Sequence, residues 1–123
     1  MRFFEESDTI SYINMPPIIV TSKASPEDIK KANEVLGTMT KVVVDVKKGI
    51  LAMGCDFHSV CAEQLIAQGS SENQLWGARI QQGGEIDFIS HINIREDNNN
   101  ALEIQNKNIR AEIESIIKKL NLI

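Results

Sequence analysis

Three observations predict an α+β fold with a mostly antiparallel sheet and helices on one of its faces. Short glycine turns at Lys47-Lys48-Gly49 and Gln82-Gly83-Gly84 each join two strand-like segments, and such turns make hairpins, hence antiparallel neighbours. Three further segments place apolar residues at helical spacing, from about Pro26, Phe57 and Lys107. The resulting order, β-α-β-β-α-β-β-α, packs as a two-layer domain.

Residues 1–16 stand apart. Phe3, Phe4, Ile10, Tyr12 and Ile13 follow no clean period, and Met15-Pro16-Pro17 stops any regular element because proline cannot donate a backbone hydrogen bond. The chain therefore divides into an N-terminal arm, 1–16, and a single domain, 17–123. The β-branched run Ile18-Ile19-Val20-Thr21 is the first strand. Ser25-Pro26-Glu27-Asp28 supplies an N-cap serine, a proline at the first helical position and acids in the first turn. Ile29, Ala32, Val35 and Leu36 share a face of that helix, which Gly37 closes.

Lys41 to Val46 is a strand, and Ile50 to Met53 returns from its turn. Asp45, inside the apolar run, is expected to face outward. Asp56 is the expected N-cap of a helix from Phe57 to Gln68 with Cys61 and Leu65 buried. Gln74 to Ile80 is a strand with Trp76, Ala78 and Ile80 on one face. The period-two alternation of Ile86, Phe88, Ser90, Ile92 and Ile94 predicts another, ten residues long. Asp97-Asn98-Asn99-Asn100 is a polar loop. Ile109, Ile113, Ile116, Ile117 and Leu120 form the stripe of the last helix, with Lys118 and Lys119 at its negative end.

Composition excludes several classes. Thirteen Lys and Arg against seventeen Asp and Glu leave a net charge of −4, and aromatics are 5% of the chain. Such a chain is ill suited to grip phosphate backbones or stack single-stranded bases, so nucleic acid is not an expected partner. No stretch is long and apolar enough for a membrane span, and the start lacks the apolar core of a signal peptide. Cys55 and Cys61, separated by five residues, do not make a disulfide framework and are expected as free thiols in a cytoplasmic protein. Cys55, His58 and Cys61 fall short of four metal ligands, so no metal or cofactor is expected.

Four pieces in order are Gly54-x-x-x-His58, Gln68-Gly69-Ser70, Leu75-Trp76-Gly77 and Ile92-Asn93-Ile94-Arg95. Together they resemble an uncharacterised family of small prokaryotic proteins, a domain of unknown function. The resemblance implies a compact α+β fold over about residues 17–123 and supplies no substrate. It also implies acids just after the histidine. Here Ser59, Val60 and Cys61 follow, and Glu63 is the first acid, which weighs against a histidine–acid metal or acid–base cluster.

The candidate site begins at His58, in the first turn of a helix just past a strand end, where backbone N–H groups and the helix dipole favour anions. The same position suits a neutral imidazole acting as general base, with Asp56 orienting it, or a structural histidine bonded to a carbonyl. Cys61, one turn on, is either the thiol of a Cys–His pair or a core residue. Trp76 reads as core, and Gly77 as a point of close approach. Arg79, His91, Asn93 and Arg95 form a polar patch if their strands pair, and two guanidiniums with an amide suit a carboxylate or phosphate. A solvated face neutralised by Glu85 and Asp87 is the alternative. The leading expectation is a domain that binds a small anionic ligand or a protein partner through His58, Trp76, Arg79, Asn93 and Arg95. A small hydrolase-like enzyme using His58 and Asp56, and a structural or regulatory homo-oligomer built through residues 1–16, are the alternatives.

Overall fold

Val42, Val43 and Val44 are consecutive, and none has exposed surface. Successive strand residues point to opposite faces, so a strand that buries all of them is covered on both sides. The computed structural model, which describes residues 16–123, shows how. Among the described residues are five strands: β1 (Ile18–Val20), β2 (Met39–Asp45), β3 (Ile50–Cys55), β4 (Leu75–Gln81) and β5 (Ile86–Asp87). They form one sheet in the order β1-β3-β2-β4-β5, and every pairing is antiparallel. Three helices accompany them: α1 (Pro26–Leu36), α2 (His58–Ala67) and α3 (Lys107–Lys119).

The α+β class and the antiparallel sheet are as the sequence predicts, but the layering differs. Val42, Val44, Leu51, Met53, Trp76, Ala78 and Ile80 pack with Ala32 of α1 and Ile113 and Ile117 of α3. Val43, Ala52 and Leu75 pack on the opposite face with Cys61 and Leu65 of α2. Helices therefore cover both faces, and the domain has three layers rather than two. Full burial of side chains such as Ile113 or Ile117 stabilises by roughly 2–3 kcal/mol each. The α1/α3 side carries the larger of the two cores.

Local signals explain most boundaries. The Ser25 hydroxyl accepts the Asp28 N–H at 3.1 Å, with Pro26 opening α1. Asn106 caps α3, accepting from the N–H groups of Asn108 and Ile109. Gly49, at φ 70°, allows the tight return between β2 and β3. Asp45 departs from expectation. It is 1% exposed, and its Oδ1 accepts the N–H groups of Lys47 and Lys48 at 3.0 and 2.9 Å. Its Oδ2 accepts the Ser70 hydroxyl at 2.6 Å. The carboxylate thus shapes the hairpin turn and ties it to the chain leaving α2. Asp56 does not cap α2. Phe57 occupies that position, and no side chain bonds the free N–H groups there.

The expected ten-residue strand is also shorter. β5 ends at Asp87, and His91–Asn93 is a single 3-10 turn begun by Ser90, whose Oγ accepts the Ile92 N–H. The chain folds back on itself instead, with Ile104 N–H donating to Phe88 O at 2.9 Å and Ser90 N–H to Leu102 O at 3.1 Å. The expected N-terminal arm, apart from Pro16, lies outside the described residues.

Candidate functional site

A short β5 leaves most of the outer edge of β4, the edge away from β2, without a strand beside it. Two side chains take the place of that strand. Asn93 is fully buried. Its Oδ1 accepts the Gly77 N–H at 2.8 Å, and its Nδ2 donates to Gly77 O at 3.0 Å. The same Nδ2 reaches Phe88 O at 3.3 Å and Leu102 O at 3.1 Å. Arg95 extends the arrangement by donating to Leu75 O through Nη2 and to Asn73 O through Nη1 at 3.0 Å. Further along, β5 pairs with Arg79 and Ile80. Gln81 N–H donates to Glu85 O at 2.7 Å. The outer edge of β4 is closed along its length.

A second asparagine holds the loop that carries Asn93. Asn99 is 3% exposed. Its Nδ2 donates to the carbonyls of Asn93, Ala101 and Glu103 at 3.1, 2.9 and 3.1 Å, and its Oδ1 accepts the Gln105 N–H at 2.9 Å. Buried backbone groups need such partners, and two asparagine amides supply them.

His58 lies on the α2 side of β4. It is 8% exposed, and its Nε2 donates to Ala78 O at 2.8 Å. Burial pushes its pKa below the ordinary histidine value. The bond to Ala78 opposes that shift, and Lys41 and Arg79 reinforce it. The Asp56 carboxylate makes no hydrogen bond to His58 among the described residues, and Asp56 is exposed. Gly77 is needed beneath this histidine. A Cβ there would lie 2.6 Å from Ser90 Cβ, 2.7 Å from Ser90 Oγ and 3.1 Å from His58 Cδ2. The glycine in the strand marks a close approach by the protein's own side chains.

The other expected site residues separate. Trp76 belongs to the core under α1 and α3, on the face opposite α2. Arg79 pairs with Asp87 at 2.6 Å, and Gln81 donates to the other Asp87 oxygen at 2.7 Å. His91 is exposed on the 3-10 turn. Trp76 and Arg95 meet directly, the guanidinium carbon lying 3.6 Å from the indole centroid, a cation–π contact. The five expected ligand residues do not converge on one concavity.

Of those five, Arg95 lines a groove beside α2. That groove, of about 740 Å³, runs between α2, the 3-10 turn Glu72–Gln74 and residues 92–98. Ile66, Ile92 and Ile94 are among its apolar lining, with Glu63, Glu72, Asp97 and Arg95, and of these acids Glu72 and Asp97 act on the Arg95 guanidinium. Ile66 and Ile94 are 43% and 52% exposed. Burial lowers the Arg95 pKa while Asp97 and Glu72 push it back up, and the group remains a cation. Sequence reasoning missed the three acids, which are far apart in the chain and carry no shared pattern. It also missed Asn99, hidden in a run of loop formers.

Cys55 and Cys61 are joined in a disulfide with Cα atoms 5.8 Å apart. The expectation of free thiols is therefore corrected. Six residues of separation suffice because Cys55 ends β3 while Cys61 lies in the second turn of α2, packed back over the sheet. No group of His, Cys, Asp and Glu among the described residues is arranged to hold a metal ion.

These features define a small α+β domain with a sheet edge sealed by side chains and an acidic groove beside it. The model of a family described as protein of unknown function (DUF5674) matches residues 18–120, and the chain belongs to that family. The resemblance seen in the sequence is borne out at this level. No curated protein and no solved structure matches the chain. No helix among the described residues is long and apolar enough to cross a membrane.

Proposed function

We propose that this domain is a protein-interaction module whose groove along α2 takes a basic, apolar peptide segment of a partner. The observation that carries the reading is the charge of the groove. Glu63, Glu72 and Asp97 line it with one cation, Arg95, and with the exposed side chains of Ile66 and Ile94. A segment with alternating basic and aliphatic residues matches both features. Desolvated apolar contacts supply affinity, and the carboxylates supply steering and specificity.

A small anion fits this geometry less well. Arg95 donates to two backbone carbonyls and stacks on Trp76. Arg79 is matched by Asp87. Neither guanidinium stands free for a carboxylate or phosphate. The hydrolase alternative has less support still, because the His58 Nε2 bond goes to a backbone carbonyl and Asp56 does not orient the ring. A cytoplasmic setting is part of the proposal.

The test uses two fluorescent peptides of equal length, one alternating Lys and Leu and the other Glu and Leu. The full chain binds the basic peptide, and binding weakens as salt screens the charges. The double variant Glu63→Lys/Asp97→Lys lowers that affinity by about tenfold or more. Equal binding of the two peptides, or an unchanged affinity in the variant, overturns the reading.

A further inference from the structure

α2 packs on the sheet, and Lys41 Nζ donates to the Asp56 carbonyl just before it at 2.8 Å, but its N-terminal end lacks the usual capping devices. Its N-cap residue is Phe57, no side chain accepts from its first N–H groups, and its first turn has no acid to meet the positive end of the dipole. Phe57 is 63% exposed and Val60 37%, so neither secures that turn by burial. The core beneath α2 is small: Val43, Ala52, Cys55, Cys61, Leu65 and Leu75. Two of those residues are the half-cystines. The covalent bond from Cys55 at the end of β3 to Cys61 in α2, with the His58–Ala78 hydrogen bond, fixes the start of the helix.

The same helix is a wall of the groove. Ser59, Ala62, Glu63 and Ile66 line it, and Cys61 stands between Ser59 and Glu63 in sequence. We propose that the Cys55–Cys61 disulfide is a reversible redox latch that controls whether the α2 wall of the groove is held in its binding position. The output of the latch rests on the groove reading above, whereas its chemistry and its effect on α2 do not.

The step balances with a dithiol reductant. A thiolate of the reductant attacks one cystine sulfur and the Cys55–Cys61 bond breaks. The second thiol of the reductant then resolves the mixed disulfide. Two electrons and two protons pass to Cys55 and Cys61, and the reductant leaves as its own disulfide. Oxidation by a disulfide of the same class reverses the exchange. Cys55 is 3% exposed and Cys61 fully buried, so attack requires the uncapped first turn to lift. After reduction both thiols remain apolar core residues, but the closed loop is released and the turn opens more readily.

The experiment compares the full chain in oxidised form, after dithiothreitol, and as the double variant Cys55→Ser/Cys61→Ser. Alkylation with mass analysis counts thiols, and hydrogen exchange follows the amides of residues 58–67. The expected result is two thiols gained on reduction and exchange across the first turns of α2 faster by about tenfold or more, the order expected on releasing a short closed loop. The α3 amides are expected to change far less. Binding of the Lys/Leu peptide weakens in parallel. Reduction of the wild-type chain reads the same effect should the variant fail to fold. The latch is overturned if thiols are confirmed while α2 exchange stays unchanged, or if, once dithiothreitol is removed, the thiols do not re-form the bond with glutathione disulfide, which leaves as two glutathione thiols. It is likewise overturned if the peptide binds equally in both states. Loosening of α2 without peptide binding in either state refutes the groove reading and leaves the latch on α2 supported.

Discussion

Asn93 pairs with Gly77 as one strand residue pairs with another. Its carboxamide accepts the glycine N–H at 2.8 Å and donates to the glycine carbonyl at 3.0 Å. A primary amide carries the same donor and acceptor as a peptide unit, so it completes the ladder without a strand. Removing it leaves the Gly77 N–H and the Gly77 carbonyl without their partner, while the Phe88 and Leu102 carbonyls keep the Ile104 and Ser90 N–H groups. Each buried unsatisfied group costs about 1–3 kcal/mol. Asn93→Ala is therefore expected to destabilise by on the order of 3 kcal/mol, read by urea denaturation. A loss below about 1 kcal/mol means that water replaces the amide.

Gly77 is constrained by its neighbours rather than by its backbone angles. The Cβ of alanine would lie 2.6 Å from Ser90 Cβ. Gly77→Ala is expected to cost roughly 1–3 kcal/mol through overpacking. Ser90→Gly added to it removes the clashing atoms, so the pair is expected to be less destabilised than the sum of the two changes. A double-mutant cycle with no coupling contradicts this contact.

The element order was legible in the sequence because each signal is local. Ser25-Pro26 caps α1, Gly49 turns the first hairpin, and the isoleucine stripe marks α3. The layering was legible too, but in a different sign. Val42-Val43-Val44 is a continuous apolar run, the pattern of a strand covered on both faces, not of one with a solvated face. The long alternation after Ile86 misled for a physical reason. Alternation describes where side chains point, whereas a strand also needs a neighbouring backbone. Ser90 and Asn93 occupy that space beside Gly77. The site was least legible because Glu63, Glu72, Ile94 and Arg95 meet only through the fold.

The lowered pKa of His58 makes stability depend on pH. Burial disfavours the imidazolium in the native state, whereas the unfolded chain titrates near about 6.5. Between the native and unfolded values the unfolded chain binds the extra proton, so native stability rises with pH across that window. The contribution is complete above the unfolded value and is lost as pH falls toward the native one. His58→Gln keeps a donor for Ala78 and removes the titration. Urea midpoints of wild type and variant are expected to differ in slope as pH falls below the unfolded histidine value of about 6.5. Parallel curves refute the assignment.

Asp45 is expected to tolerate an amide but not a methyl group. In Asp45→Asn the carbonyl still accepts from Lys47 and Lys48, and the amide nitrogen can donate to the Ser70 oxygen. That change is expected to cost under about 1 kcal/mol, whereas Asp45→Ala strands two turn N–H groups and the Ser70 hydroxyl, at about 2–4 kcal/mol. Thermal unfolding of the two variants separates the effects. Similar losses for both mean that the negative charge, not the hydrogen-bond geometry, matters at this turn.

The closed edge of β4 has a bearing on how the protein behaves at high concentration. An open strand edge is a template on which another chain can pair and seed aggregates. Here the outward groups of β4 meet Arg95, Asn93, β5 and Glu85 in turn. Side chains thus guard the sheet where a strand would otherwise invite a foreign one. Loss of Asn93 exposes that template, so its variants are expected to accumulate as insoluble assemblies under conditions in which they remain mostly folded.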